Sequence, residues 1–230
     1  MLALWGLAAF PARADEASVR KMIQGKFPTM TVESVTKAPF AGLYEVVLDG
    51  EVVYTDEKVE YFFGGNIYDI RTVPPRNLTQ ERAGQFVARV LNGSLNQALK
   101  RVRGNGKRTL YTFEDPNCGY CKQLYKELAK IPDVTIYTFL LPILSPNSVE
   151  KATAVWCAKD RAKAWDQVMT TSTVDGNGKS CDTPIQKNLQ LMHRFGIRGT
   201  PAVYLADGRH IGGYVPAEKI EQALNSVPSK

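Results

Sequence analysis

The sequence predicts two small units in series: an α+β unit built on an antiparallel sheet, then an α/β unit that opens on strand, helix, strand. Three observations carry this. Residues 31–63 break into short alternating or β-branched runs separated by glycine-containing turns. Residues 78–101 repeat apolar side chains at helical spacing. Residues 109–140 set a helical segment between two apolar, strand-like runs. The chain has 230 residues, 44% hydrophobic and 23% charged, an ordinary globular composition that suits one large domain or two small ones.

The first residues carry a separate signal. Residues 2–10 read LALWGLAAF, and Pro11 and Ala12-Arg13-Ala14 follow. A short apolar run ahead of an A-x-A site has the form of a secretory signal peptide, and the run is too short to span a bilayer. A signal peptide over residues 1–14 and a mature chain from Asp15 are therefore expected. No Lys or Arg precedes the run, so the basic start of such a peptide is truncated or lies upstream. The competing assignment is a buried N-terminal helix. Export would place every cysteine in an oxidising compartment.

In residues 15–26, Val19, Met22 and Ile23 share one helical face, and Pro28 ends the helix. Residues 31–35 and 43–48 alternate, and short runs over 51–55 and 59–63 follow. Asp49-Gly50 and Gly64-Gly65 supply turns. Residues 15–77 thus form one small unit, which buries a limited share of its surface and suits pairing with a partner. Val73-Pro74-Pro75 breaks the chain. A helix start at Asn77 leads through Phe86, Val87, Val90 and Leu91, with Gly93 as an interruption. Residues 78–107 are read as a helical linker. Its basic end (Lys100, Arg101, Arg103, Lys107, Arg108) reads as a solvated connector. With a net charge of only +6 and no long Lys/Arg run, no nucleic-acid partner is expected.

Residues 108–230 form the second unit. A strand over 109–113 meets the turn Glu114-Asp115-Pro116-Asn117, then Cys118-Gly119-Tyr120-Cys121 runs into a helix that Pro132 stops. A strand over 134–140 completes the strand–helix–strand unit. Helical segments are expected over 148–170 and 183–195. A strand over 202–205, a turn at Asp207-Gly208, a strand over 210–214 and a helix over 217–224 close the chain.

A C-x-x-C at the start of a helix inside such a unit reads as a thioredoxin-like redox motif. Unpaired N–H groups and the positive dipole end at a helix N-terminus favour an anion. Cys118 there should be a thiolate nucleophile and a good leaving group. Cys121, one turn on, should resolve the mixed disulfide, with Gly119 and Tyr120 setting the geometry between them. A zinc half-site and a plain structural disulfide are the alternatives. Zinc wants a second C-x-x-C, whereas Cys157 and Cys181 lie 24 positions apart, and His193 and His210 show no ligand spacing. Four cysteines allow three pairings. Pairing within 118/121 is favoured because that pair is locally held, which leaves Cys157 and Cys181 as a structural disulfide across a polar loop. Thr200-Pro201, ahead of an apolar strand, suggests a cis-proline whose flanking backbone could pair with an extended peptide.

With these pieces the chain resembles the bacterial periplasmic disulfide isomerases of the DsbC/DsbG family, on the DsbC-like branch. The resemblance rests on Phe113 to Cys121 (FEDPNCGYC), Val155 to Lys159 (VWCAK) with Lys179-Ser180-Cys181-Asp182, Gly196 to Val203 (GIRGTPAV), and Gly213-Tyr214. It implies a cystatin-like N-terminal dimerisation domain (small antiparallel sheet plus helix), joined by a helical linker to a thioredoxin-like domain with a helical insertion. It also implies a V-shaped homodimer with an uncharged cleft for unfolded or misoxidised exported proteins, chaperone-like holding, a periplasmic location, and a membrane reductase of the DsbD type as partner. The Cys157–Cys181 disulfide matches the family's own. The expected activity is disulfide isomerisation and reduction by thiol–disulfide exchange, which needs no organic cofactor or metal. Net thiol oxidation, sulfenic-acid reduction and a non-enzymatic holdase role are the rivals.

Overall fold

The computed structural model describes residues 15–175 and 181–227; the expected signal peptide lies outside the described residues. The chain divides into two compact units between Pro75 and Arg76. Among the described residues, no helix is long and apolar enough to cross a membrane.

The first unit holds α1 (Glu16–Lys26) and an antiparallel sheet of β1 (Val32–Lys37), β2 (Tyr44–Leu48), β3 (Glu51–Thr55) and β4 (Phe62–Phe63), in that order. Asp15 caps α1 by accepting from the Ser18 N–H at 2.7 Å. Val19 and Ile23, both 0% exposed, are pressed into a core with Val35, Tyr44 and Val46. The β2–β3 hairpin turns at Asp49 and Gly50, both with positive φ (49° and 84°), as a tight two-residue turn requires. The run over 59–63 does not become one strand. Asp56 accepts from the N–H groups of Lys58, Glu60 and Tyr61, which curls the chain and leaves only Phe62–Phe63 paired with β3.

The second unit begins with α2 (Leu78–Gly93), capped by Asn77. Its sheet contains β5 (Leu99–Arg103), β6 (Arg108–Glu114), β7 (Val134–Leu140), β8 (Ala202–Leu205) and β9 (His210–Gly212). Their spatial order is β9-β8-β6-β7-β5. β6 and β7 are parallel, from Arg108↔Val134 to Glu114↔Leu140; the other neighbours are antiparallel. Side chains alternate across β6. Leu110 meets α3 (Gly119–Leu128) and α7 (Ala217–Asn225) on one face. Tyr111 and Phe113 meet α2 and α6 (Ile185–Arg194) on the other.

Two stretches differ from the sequence expectation. The helix expected over 78–101 ends at Gly93, and residues 99–103 are an edge strand of the second unit's sheet. Its arginines are not a free basic connector. Arg103 donates to the Ile131 and Ala129 carbonyls beyond the end of α3, a favourable place for a cation. Arg108 bridges to Glu221 of α7 at 2.6 Å. α2 itself is docked: Phe86 packs edge-on against Phe195, and Gly84 faces the β8–β9 turn so closely that a Cβ there would lie 2.9 Å from the Asp207 carbonyl. The second difference lies in residues 148–170, which form two helices. α4 (Pro146–Cys157) stops, and Asp160 caps α5 (Arg161–Thr171) by accepting from the Lys163 N–H at 3.0 Å.

Candidate active site

β6 delivers the chain to the site and α3 carries it away. Cys118 is the N-cap of α3, and its Sγ accepts from the Cys121 N–H at 3.2 Å. Gly119 and Tyr120 form the first helical residues, and Tyr120 is 63% exposed. From the opposite side comes the turn before β8. The Thr200–Pro201 peptide is cis, and the Cys118 thiol donates to the Thr200 carbonyl at 3.3 Å. Residues 82 positions apart in sequence thus share one sulfur.

The two thiols are driven in opposite directions. The Cys121 thiol donating to the Cys118 sulfur lowers the latter's pKa from the ordinary 9.0 to about 6, helped by the Thr200 side chain and the N–H groups of Cys121 and Tyr120, against burial. Burial pushes Cys121 far above the thiol range, reinforced by its hydrogen bond to Cys118 and by the charge of Glu114. Both cysteines are unpaired; Cys121 is 0% exposed and Cys118 only 4%. Only a sliver of Cys118 therefore meets solvent.

Cys157 and Cys181 are joined by a disulfide, so the two sulfurs that a four-cysteine zinc site would need are bonded to each other. The bridge ties the end of α4 to the chain entering α6.

Two buried acids beside the site escaped the sequence reading. Glu114, fully buried at the end of β6, accepts from Thr112 at 2.7 Å and Thr138 at 3.3 Å; its second oxygen has no hydrogen-bond partner among the described residues. Burial raises its pKa, against the pull of the Arg101 guanidinium. Asp115, also 0% exposed, anchors the turn in front of Cys118. The available signal was alternation: Leu110, Thr112 and Glu114 lie on the same face of β6, so the carboxylate is carried under α3.

Known proteins agree with this geometry. Residues 95–228 match the thioredoxin-like domain model, and residues 10–80 match the disulfide bond isomerase protein N-terminal domain. The chain is 37% identical over 208 residues to the probable thiol:disulfide interchange protein DsbC of Bordetella parapertussis, covering 90% of this chain and 73% of that one. It is 29% identical to the thiol:disulfide interchange protein DsbC of Escherichia coli, over 95% of this chain and 92% of the other. A solved disulfide interchange protein from Neisseria gonorrhoeae superposes with a TM-score of 0.55 at 41% identity, over 57% of this chain and 96% of its own. A free C-x-x-C pair at a helix N-terminus, a thioredoxin-like domain around it and an isomerase-type N-terminal domain ahead of it lead to one conclusion: the chain belongs to the DsbC family of thiol:disulfide interchange proteins, which are thioredoxin-like disulfide oxidoreductases.

Proposed function

We propose that this protein is a periplasmic disulfide isomerase and reductase that rearranges non-native disulfides in exported proteins. The observation that carries the reading is the split between the two thiols. With a pKa of about 6, Cys118 is a thiolate at neutral pH, while Cys121 keeps its proton. One sulfur is ready to attack and the other is held in reserve.

The Cys118 thiolate attacks one sulfur of a client cystine. The client S–S bond breaks, a Cys118–client disulfide forms, and the second client sulfur leaves as a thiolate. An extended client segment would lie along Thr200-Pro201, whose carbonyl already contacts the Cys118 sulfur. When the freed client thiolate attacks another disulfide and the last exchange expels Cys118, the client is isomerised with no net change in redox state. When the client stalls, Cys121 attacks the Cys118 sulfur. The client then leaves reduced by two electrons, and the enzyme is left with a 118–121 disulfide. Glu114, whose charge acts on Cys121 and whose own pKa is raised by burial, would take the Cys121 proton as that attack begins. A membrane reductase of the DsbD type would then restore the dithiol. In this reading residues 1–14 direct export, the N-terminal unit pairs two copies of the chain, and the paired surface holds unfolded clients.

Reactivation of scrambled ribonuclease tests the proposal. Wild type should restore activity, and Cys118→Ser should lose at least about two orders of magnitude of the rate. Equal reactivation by both would leave a holdase and remove the exchange chemistry.

A further inference from the structure

Asp115 stands three residues before the nucleophile, is 0% exposed, and accepts four hydrogen bonds. Its Oδ1 takes the Asn117 N–H at 2.7 Å and the Ser148 hydroxyl at 2.9 Å. Its Oδ2 takes the N–H groups of Ile143 at 2.8 Å and Leu144 at 3.0 Å. Its own backbone carbonyl accepts from the Cys118 N–H at 3.1 Å. One side chain therefore ties together the turn that presents Cys118, the loop after β7 and the first turn of α4. A carboxylate has about four acceptor sites. All are filled here, which lets the charge stay in the interior. Asn117 adds a second tie between the same segments, donating to Ser148 at 3.0 Å and accepting from Lys151 at 2.7 Å.

The clamp holds only backbone N–H groups of Ile143 and Leu144. Their side chains remain 36% and 55% exposed. Tyr120, next but one to Cys118 on the first turn of α3, and Tyr214, whose ring centroid lies 6.4 Å from that of Tyr120, are also 63% and 40% exposed. Scattered exposed apolar residues need no explanation. Two consecutive ones, tied through Asp115 to the turn that carries the nucleophile, form an exposed apolar pair fixed to the same support as Cys118.

We infer that Asp115 is a positioning residue that holds the Ile143–Leu144 lip against the Cys118 turn, so that the site prefers a cystine flanked by apolar residues in an extended polypeptide. The inference rests on the exchange reading above. The occupant is set by chemistry already described. Cys118 accepts only a sulfur, the Thr200 carbonyl offers a backbone hydrogen bond, and the lip offers apolar surface without charge.

The test uses the full chain and three oxidised substrates. One is a small aromatic disulfide; the other two are peptides of one sequence whose cystine is flanked by Leu or by Ser. Asp115→Ala and the double variant Ile143→Ser/Leu144→Ser should each raise KM for the Leu-flanked peptide about tenfold. In the double variant the Ser-flanked peptide and the small disulfide should stay within about twofold of wild type, whereas Asp115→Ala, which also loosens the Cys118 turn, should lower turnover of all three substrates while erasing the preference for the Leu-flanked peptide. Combining all three substitutions should add nothing further to the rise in KM, because Asp115 sets that preference through the lip. If Asp115→Ala does not fold, Asp115→Asn, with one accepting oxygen for two pairs of donors, takes its place and should show a smaller rise. Multiplicative effects on KM, equal losses on all three substrates in the lip variant, or an unchanged Leu preference in either variant would each overturn the inference. A wild-type protein unable to reduce even the small disulfide would overturn the exchange reading itself, and the inference with it.

Discussion

At the scale of single residues, the proposed chemistry lies in a difference between two sulfurs three positions apart. Hydrogen bonds to Cys118 hold its pKa near 6, well under the ordinary thiol value of 9.0. This predicts a thiolate absorbance transition near pH 6 in the reduced protein, and alkylation of Cys118 that slows below it. Stability follows with a defined sign. Between about pH 6 and 9 the folded thiol has lost its proton and the unfolded thiol has not, so reduced protein gains stability as pH rises through that window. The gain is lost as pH falls through 6. The stability difference between wild type and Cys118→Ser, measured by denaturant melts across that range, isolates this group; a flat difference would contradict the depressed pKa. Position 118 was legible in the sequence because a C-x-x-C opening a helix is a local pattern. Glu114 and Asp115 were not. They look like turn residues, and their burial depends on β7 and α4, which arrive 20 to 30 residues later in the chain.

At the scale of elements, α3 is held at both ends. Its N-terminus carries Cys118, and Arg103 from β5 satisfies carbonyls just past its C-terminus. The sequence reading placed that arginine in a connector because a five-residue strand beside two glycines has no periodicity of its own. β5 becomes a strand by pairing with β7, a tertiary event. α2 shows the same limit. Its helical period is plain from residue 78 onward, but its docking depends on two glycines far apart in sequence. Gly208 has φ +83°, and a Cβ there would come within 1.9 Å of the Gly84 carbonyl. Gly208→Ala should therefore cost about 2 kcal/mol or more, from backbone strain plus the clash. The expected result is a lower denaturation midpoint together with faster proteolysis near residues 94–98. A midpoint unchanged from wild type would show that α2 is not docked on this turn.

At the scale of the whole molecule, the chain carries two units with separate cores. The free cysteine pair, the Thr200 carbonyl and the α2 support all belong to the second. A fragment of residues 76–230 should therefore fold alone and reduce a small disulfide within about twofold of the full chain's rate. It should fall well behind in reactivating scrambled ribonuclease, where holding a large client matters. Equal performance in both assays would assign the N-terminal unit no part in catalysis on proteins. The two-unit plan was legible from the sequence because the short turn-separated runs of residues 31–63 give way, after Val73-Pro74-Pro75, to a helical run and then a strand–helix–strand pattern, whereas the exact hand-over from linker to sheet depends on pairing partners. The rims of the second sheet carry a last consequence. β5 carries exposed Lys100 and Arg103 along one border, and β9 on the other is only three residues long. Half-folded polypeptides seek open borders on which to lay another strand. A catalyst that met them with a long apolar rim would be coated by its own substrates and drawn into aggregates. Charge on one side and brevity on the other leave little to adhere to, so under the proposed function visitors would engage at the sulfur and then depart.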